Sequence, residues 1–126
     1  MNVVAEKSST GLDANIAAAL AYIPIVGIVF LVIEKGSRFV KFHSVQSLVF
    51  CAALFVAYFA LTILGFVASM VPLLGWIVSF VLFFVWLALF IGSFVAWIIA
   101  VVKAFQGEWF KLPYVGNIAE QQSATL

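Results

Sequence analysis

From Ser44 to Val102 the chain runs for 59 residues without one Asp, Glu, Lys or Arg. As a single helix that stretch would measure about 90 Å, three times the hydrocarbon thickness of a bilayer. The chain must therefore turn back on itself. The only strong breaker inside the stretch is Pro72, in Met70-Val71-Pro72-Leu73-Leu74-Gly75. A break at Gly92-Ser93 instead would leave about nine apolar residues before Lys103, too few to span. Composition agrees: 67% of residues are hydrophobic and 9% charged, against about half and a quarter in a soluble domain. A soluble enzyme with its own polar surface is excluded. A net charge of +1 leaves no basic excess to hold a phosphate backbone, so no nucleic-acid partner is expected.

Ahead of this stretch, Ala14 to Ile33 form another 20 residues without a charge, about 30 Å as a helix. Glu34 and Lys35 close that segment, and Pro24 near its middle predicts a kink. Residues 1–13 form a polar tail ending at Asp13, which is placed to cap the following helix. The tail lacks the basic start and the short apolar region of a cleavable leader. The predicted fold is thus an all-α integral membrane bundle of three transmembrane helices, about 14–34, 38–70 and 75–104. An interfacial segment and tail follow over 105–126. Three spans put Lys35, Arg38, Lys41, Lys103 and Lys111 on one side and Lys7 on the other. The positive-inside rule then sets the N-terminus outside and the C-terminus in the cytoplasm, in the plasma membrane of a prokaryote.

In the third span, Trp76, Phe80, Phe83, Leu87, Phe90, Phe94 and Trp97 follow a 4-3 spacing and share one stripe. Ala88, Gly92, Ala96, Ala100 and Ala104 recur every four residues, and small residues let helices approach closely in lipid. The aromatic stripe is expected toward lipid, with Gly92, Ala96 and Ala100 packed against another helix. In the second span Phe39, His43, Gln46, Phe50, Ala53, Ala57 and Ala60 share a stripe. With the alanines facing the bundle, His43 and Gln46 point inward at its cytoplasmic end. The segment after Lys103 mixes aromatics with charges, as an interfacial stretch does. Asn117 and Glu120 have capping-box spacing and predict a short terminal helix.

His43 is the only histidine, Cys51 the only cysteine, and the spans hold no paired carboxylates. Neither catalytic residues, metal ligands nor a cofactor site are read here. Ser44 and Ser47 flank His43, but adjacent helix residues do not face one another as a nucleophile and a base must. The candidate polar cluster is Arg38, Lys41, His43, Gln46, Glu108 and Lys111. It is placed to bind a lipid headgroup or a partner, with His43 as a pH-sensitive element. An inward imidazole needs a hydrogen bond, and the nearest polar groups lie between Gly107 and Glu120.

Three stretches carry a family resemblance. Arg38-Phe39-Val40-Lys41-Phe42-His43-Ser44-Val45-Gln46-Ser47-Leu48 resembles the aromatic-His-x-x-Gln-Ser/Ala signature of a bacterial and archaeal family of uncharacterised small membrane proteins. Leu20-Ala21-Tyr22-Ile23 with Gly27 and Glu34-Lys35 resembles its first-helix pattern. Gly107-Glu108, Lys111-Leu112-Pro113, Gly116 and Ala119-Glu120 resemble its C-terminal pattern. That family is similar to the twenty-kilodalton subunit of the chloroplast inner-envelope translocon and to the magnetosome protein MamF. The resemblance implies a membrane-embedded helical bundle. The chloroplast relative carries four spans, one more than read here. The expected function is that of a non-enzymatic membrane protein, assisting protein translocation, insertion or membrane organisation through contacts with other membrane proteins or with itself. The alternative is a small oligomeric channel or transporter, against which stands the absence of charge from the long apolar stretch.

Overall fold

The computed structural model describes residues 8–125. Most of the expected polar tail, including Lys7, lies outside them. Five helices follow in order: α1 (Ala14–Leu20), α2 (Pro24–Ile33), α3 (Arg38–Ala68), α4 (Pro72–Phe105) and α5 (Val115–Thr125). Among the described residues, only α3 and α4 are long and apolar enough to cross a membrane. Their 31 and 34 residues measure about 46 and 51 Å, more than a hydrocarbon core needs. As the sequence indicated, Pro72 opens the second of them.

The segment expected to be the first span is divided into two short helices, so among the described residues a third membrane-length helix is not confirmed. Pro24 has no N–H to continue α1 and pushes the residue before it out of the helical region. Ile23 accordingly sits at φ −81°, ψ 119°, and Pro24 becomes the first residue of a new helix rather than a kink in an old one. At about 10 and 15 Å, neither α1 nor α2 is long enough to cross. The return is tight because residue 27 is glycine. A Cβ there would lie 2.6 Å from the Ala21 carbonyl oxygen.

The two ends of the hairpin are bonded to each other. Ser9 Oγ accepts from the Lys35 and Gly36 amides at 2.9 and 3.2 Å. The Glu34 carboxylate accepts from the Ser8 hydroxyl and the Ser9 amide. Asp13 occupies the N-cap position of α1, but its side chain makes no capping bond.

The chain forms two compact units. One takes the chain up to Cys51 together with everything from Ala96 onward; the other is Ala52–Val95. In the first, Ala14, Ala17, Ala18 and Tyr22 of the hairpin pack with Phe39 and Val40 of α3, with Ala100 and Ala104 of α4, and with Leu112. Alanine on both partners brings the backbones close, the packing that lipid favours. A smaller cluster joins Phe42 and Val45 to Ala119 of α5. In the second unit, Tyr58 stacks on Trp86 with ring centroids 4.6 Å apart, and Leu82 is buried. Hydroxyls here bond to their own helix: Thr62 to the Tyr58 carbonyl, Ser69 to Phe66 and Ser93 to Phe90. Phe83 and Phe90 are open on the surface of this unit.

The expected small-residue ridge holds only in part. Ala100 and Ala104 are buried and Ala96 packs against the first cluster. Gly92 is exposed, and a Cβ there would meet nothing within 4 Å. Ala53 and Ala60 are likewise exposed. The ridge works only where the hairpin lies against α4. The terminal helix is also displaced: α5 begins at Val115, so Asn117 is inside it rather than at its cap. Tyr114, at φ 62°, makes the turn, and the Val115 amide reaches the Pro113 carbonyl at 2.6 Å.

Candidate functional site

In the first unit three buried polar side chains form one continuous relay: Tyr22 from the hairpin turn, and His43 and Gln46 one turn apart on α3. Gln46 Nε2 donates to Tyr22 Oη at 2.6 Å. The Tyr22 hydroxyl and His43 Nδ1 are 2.6 Å apart. His43 Nε2 lies 3.1 Å from the Glu108 carbonyl oxygen. That carbonyl can only accept, so Nε2 carries the proton, Nδ1 accepts, and the tyrosine donates to it. The assignment satisfies each group with a neutral imidazole. Gln46 completes the set by donating to the Phe110 carbonyl at 3.0 Å, while its Oε1 accepts from the Leu112 amide at 3.0 Å.

His43 and Gln46 thus reach the C-terminal segment between Gly107 and Glu120. The segment arrives there because α4 ends in a left-handed glycine. Gly107 has φ 80°, and the Glu108 amide turns back to the Lys103 carbonyl at 3.0 Å, a Schellman-type cap. Rings wall the imidazole in. Phe39 and Phe42 meet it edge-on at 4.6 and 5.0 Å, and Trp109 lies 5.2 Å from each of those two. Neither Ser44 nor Ser47 bonds His43, although both are buried.

The cluster expected from sequence divides into separate groups. Glu108 gives His43 its backbone carbonyl, while its carboxylate pairs with Lys103 at 3.0 Å. Lys111 pairs with Glu120. Arg38 and Lys41 line a cleft with Lys35, Gly36, Ser123 and Ala124.

Three contributors had no assigned role in the sequence reading. Tyr22 was visible only as part of a motif. Trp97 was placed in the lipid-facing stripe, but its Nε1–H donates to the Tyr22 carbonyl at 2.8 Å. The break before Pro24 frees that carbonyl from its helix, and an indole N–H in apolar surroundings seeks an acceptor. Those two facts together were the available signal. Glu34, read as the end of a span, is 2% exposed. Besides Ser8 and Ser9, it accepts from the Gly36 and Ser37 amides at 3.1 and 2.9 Å. Burial alone would raise this carboxyl, but those hydrogen bonds favour the charged form more strongly and hold it at about 2.

Two long apolar helices, a short returning hairpin and a polar relay closing one end define a small helical membrane protein. The chain belongs to the magnetosome magnetite crystal formation protein family, which matches residues 8–119. It is similar to a UPF0132 membrane protein of Archaeoglobus fulgidus, 40% identical over 114 residues, 88% of this chain and 96% of the relative. It is also similar to a UPF0132 membrane protein of Methanocaldococcus jannaschii, 41% identical over 119 residues, 93% and 94% of the two chains. A second protein of that name and organism is 30% identical over 123 residues, covering 96% and 78%. No solved structure matches.

Proposed function

We propose that the chain is a non-enzymatic protein of the prokaryotic plasma membrane that acts through contacts with other membrane proteins or with copies of itself. The observation that carries this reading is how the buried polar groups are used. Both ring nitrogens of His43, and the amide of Gln46, hold the chain's own hairpin and C-terminal segment. What remains for the surroundings is the apolar, aromatic-rich surface of Ala52–Val95. Contacts of that kind serve membrane-protein insertion, translocation or the organisation of a membrane patch.

Support for the topology comes from the hairpin. With Ser8 and Ser9 bonded to Glu34 through Gly36, the start of the described chain shares a side with Lys35, Arg38 and Lys41. The Ser69–Val71 turn has no charge, so the positive-inside rule sets both ends of the chain in the cytoplasm. Photo-cross-linking residues at Phe83 and Phe90 in living cells test the functional reading. Discrete protein adducts at these positions are the expected result. Lipid adducts alone, together with ion flux above protein-free controls in liposomes, would replace it with the channel reading.

A further inference from the structure

Two buried polar side chains take no part in the relay. Ser44 and Ser47 of α3 are 0% and 1% exposed, and neither hydroxyl has a hydrogen-bond partner among the described residues. A buried hydroxyl left unbonded is costly, and nearly all such groups in folded proteins find a partner. Ser47 faces the break in the hairpin, where its Oγ lies 3.6 Å from the point a Gly27 Cβ would occupy. The Ala21 carbonyl oxygen lies 2.6 Å from the same point. Because the chain leaves its helix before Pro24, no backbone amide among the described residues bonds this carbonyl. It stands at the end of α1, where a helix carries partial negative charge. Ser44 is three residues before Ser47, one turn away on the same helix face. We infer that the Ala21 carbonyl and the hydroxyls of Ser47 and Ser44 form a binding site for an alkali cation, which ties the hairpin break to α3.

The donor set selects the ligand. A carbonyl only accepts, and a hydroxyl can turn a lone pair toward a positive ion, so the three groups suit a cation and not an anion. All are oxygens, which favours a hard ion. None is charged, whereas divalent ions are held mainly by carboxylates. Glu34, the carboxylate at the end of α2, is held by the Ser8 hydroxyl and the amides of Ser9, Gly36 and Ser37. His43 and Gln46 are committed as well, to Tyr22 and to the C-terminal segment. Uncharged oxygens, drawn from an interrupted helix and its neighbours, are a recurrent means of holding monovalent cations in membrane proteins. Gly27 is part of the same design. A side chain there would fill the space between the Ala21 carbonyl and the Ser47 hydroxyl.

The Gly27 amide, which bonds the Ile23 carbonyl across the break at 2.8 Å, reports on the site. Its hydrogen exchange would be followed in the full chain in detergent micelles at constant ionic strength, with sodium or potassium chloride replacing N-methylglucamine chloride. A cation that binds only the closed hairpin multiplies protection by one plus the ratio of its concentration to its Kd. Above that Kd, each tenfold rise in sodium or potassium should raise wild-type protection about tenfold. The double variant Ser44→Ala, Ser47→Ala loses no hydrogen bond. In N-methylglucamine it should therefore be at least as protected as wild type, and its dependence on alkali cation should vanish. Ser93→Ala, whose hydroxyl bonds the Phe90 carbonyl in the other unit, should keep the dependence. Flat wild-type protection through both titrations, or equal dependence in wild type and double variant, would overturn the site.

Discussion

Glu34→Gln keeps the size of the side chain and removes its charge, and the structure sets the consequence. One carboxylate oxygen accepts from three backbone amides, those of Ser9, Gly36 and Ser37, at 2.9, 3.1 and 2.9 Å. The other accepts from the Ser8 hydroxyl and again from Ser9. A glutamine has one oxygen for this work, and its amide must face Ser8, whose hydroxyl can turn to accept. The three amide bonds survive but lose their charge assistance. The folded carboxyl titrates at about 2 instead of 4.5, which bounds the contribution of the charge at roughly 3 kcal/mol. Because the folded group binds its proton less readily, this stabilisation is complete above about pH 4.5 and vanishes as the pH falls toward 2. Amide hydrogen exchange at Ser9, Gly36 and Ser37 in detergent micelles reads it locally. Protection in the variant should fall by up to about 150-fold at neutral pH, while wild-type protection should decline only below pH 4.5. Equal protection in variant and wild type would show that the carboxylate does not hold the hairpin's ends together.

His43→Ala leaves the Glu108 carbonyl without its donor and the Tyr22 hydroxyl proton without its acceptor, while Gln46 still donates to the tyrosine oxygen. A buried polar group left unpaired costs about 1–3 kcal/mol, so tryptic cleavage after Lys111 should accelerate about five- to hundredfold while membrane insertion persists. Gly27→Leu should separate α1 from α2, because a side chain cannot occupy space 2.6 Å from the Ala21 carbonyl; loss of protection at Ser9 would report it. Ala100→Leu, in a fully buried site on α4, should lower the unfolding midpoint in detergent by several degrees, whereas Phe83→Leu should leave it unchanged within error.

Sequence made the long helices readable because hydropathy and length are additive along the chain. Fifty-nine residues without a charge admit few arrangements, and Pro72 marked the turn. His43 and Gln46 were readable for a related reason. Polar side chains one turn apart on an apolar helix must find partners, and a segment beginning at the same membrane level offered them. Their partners in the C-terminal segment, the carbonyls of Glu108 and Phe110 and the amide of Leu112, are backbone groups with no signature in the sequence. The hairpin was not readable from residue counts. Twenty apolar residues specify a length but not a direction, so Ala14 to Ile33 satisfies the criterion for a span while folding back at Pro24. What decides between the two is the bonding of Ser8 and Ser9 to Glu34, a contact between residues far apart in sequence. The small-residue ridge shows the same limit. Gly92 and Ala100 share a periodicity, but the hairpin reaches only the latter.

The returning hairpin is the feature on which the proposed topology depends, and cysteine accessibility tests it most directly. In a Cys51→Ser background, single cysteines at Leu12, Met70 and Ala124 would be treated with a membrane-impermeant maleimide in intact cells and after permeabilisation. The proposed topology predicts that residues 12 and 124 behave alike, protected in intact cells and labelled once the membrane is opened, while residue 70 is labelled from outside. Labelling of residue 12 from outside together with protection of residue 124 would mean that Ala14–Ile33 crosses the membrane, and the hairpin would be contradicted.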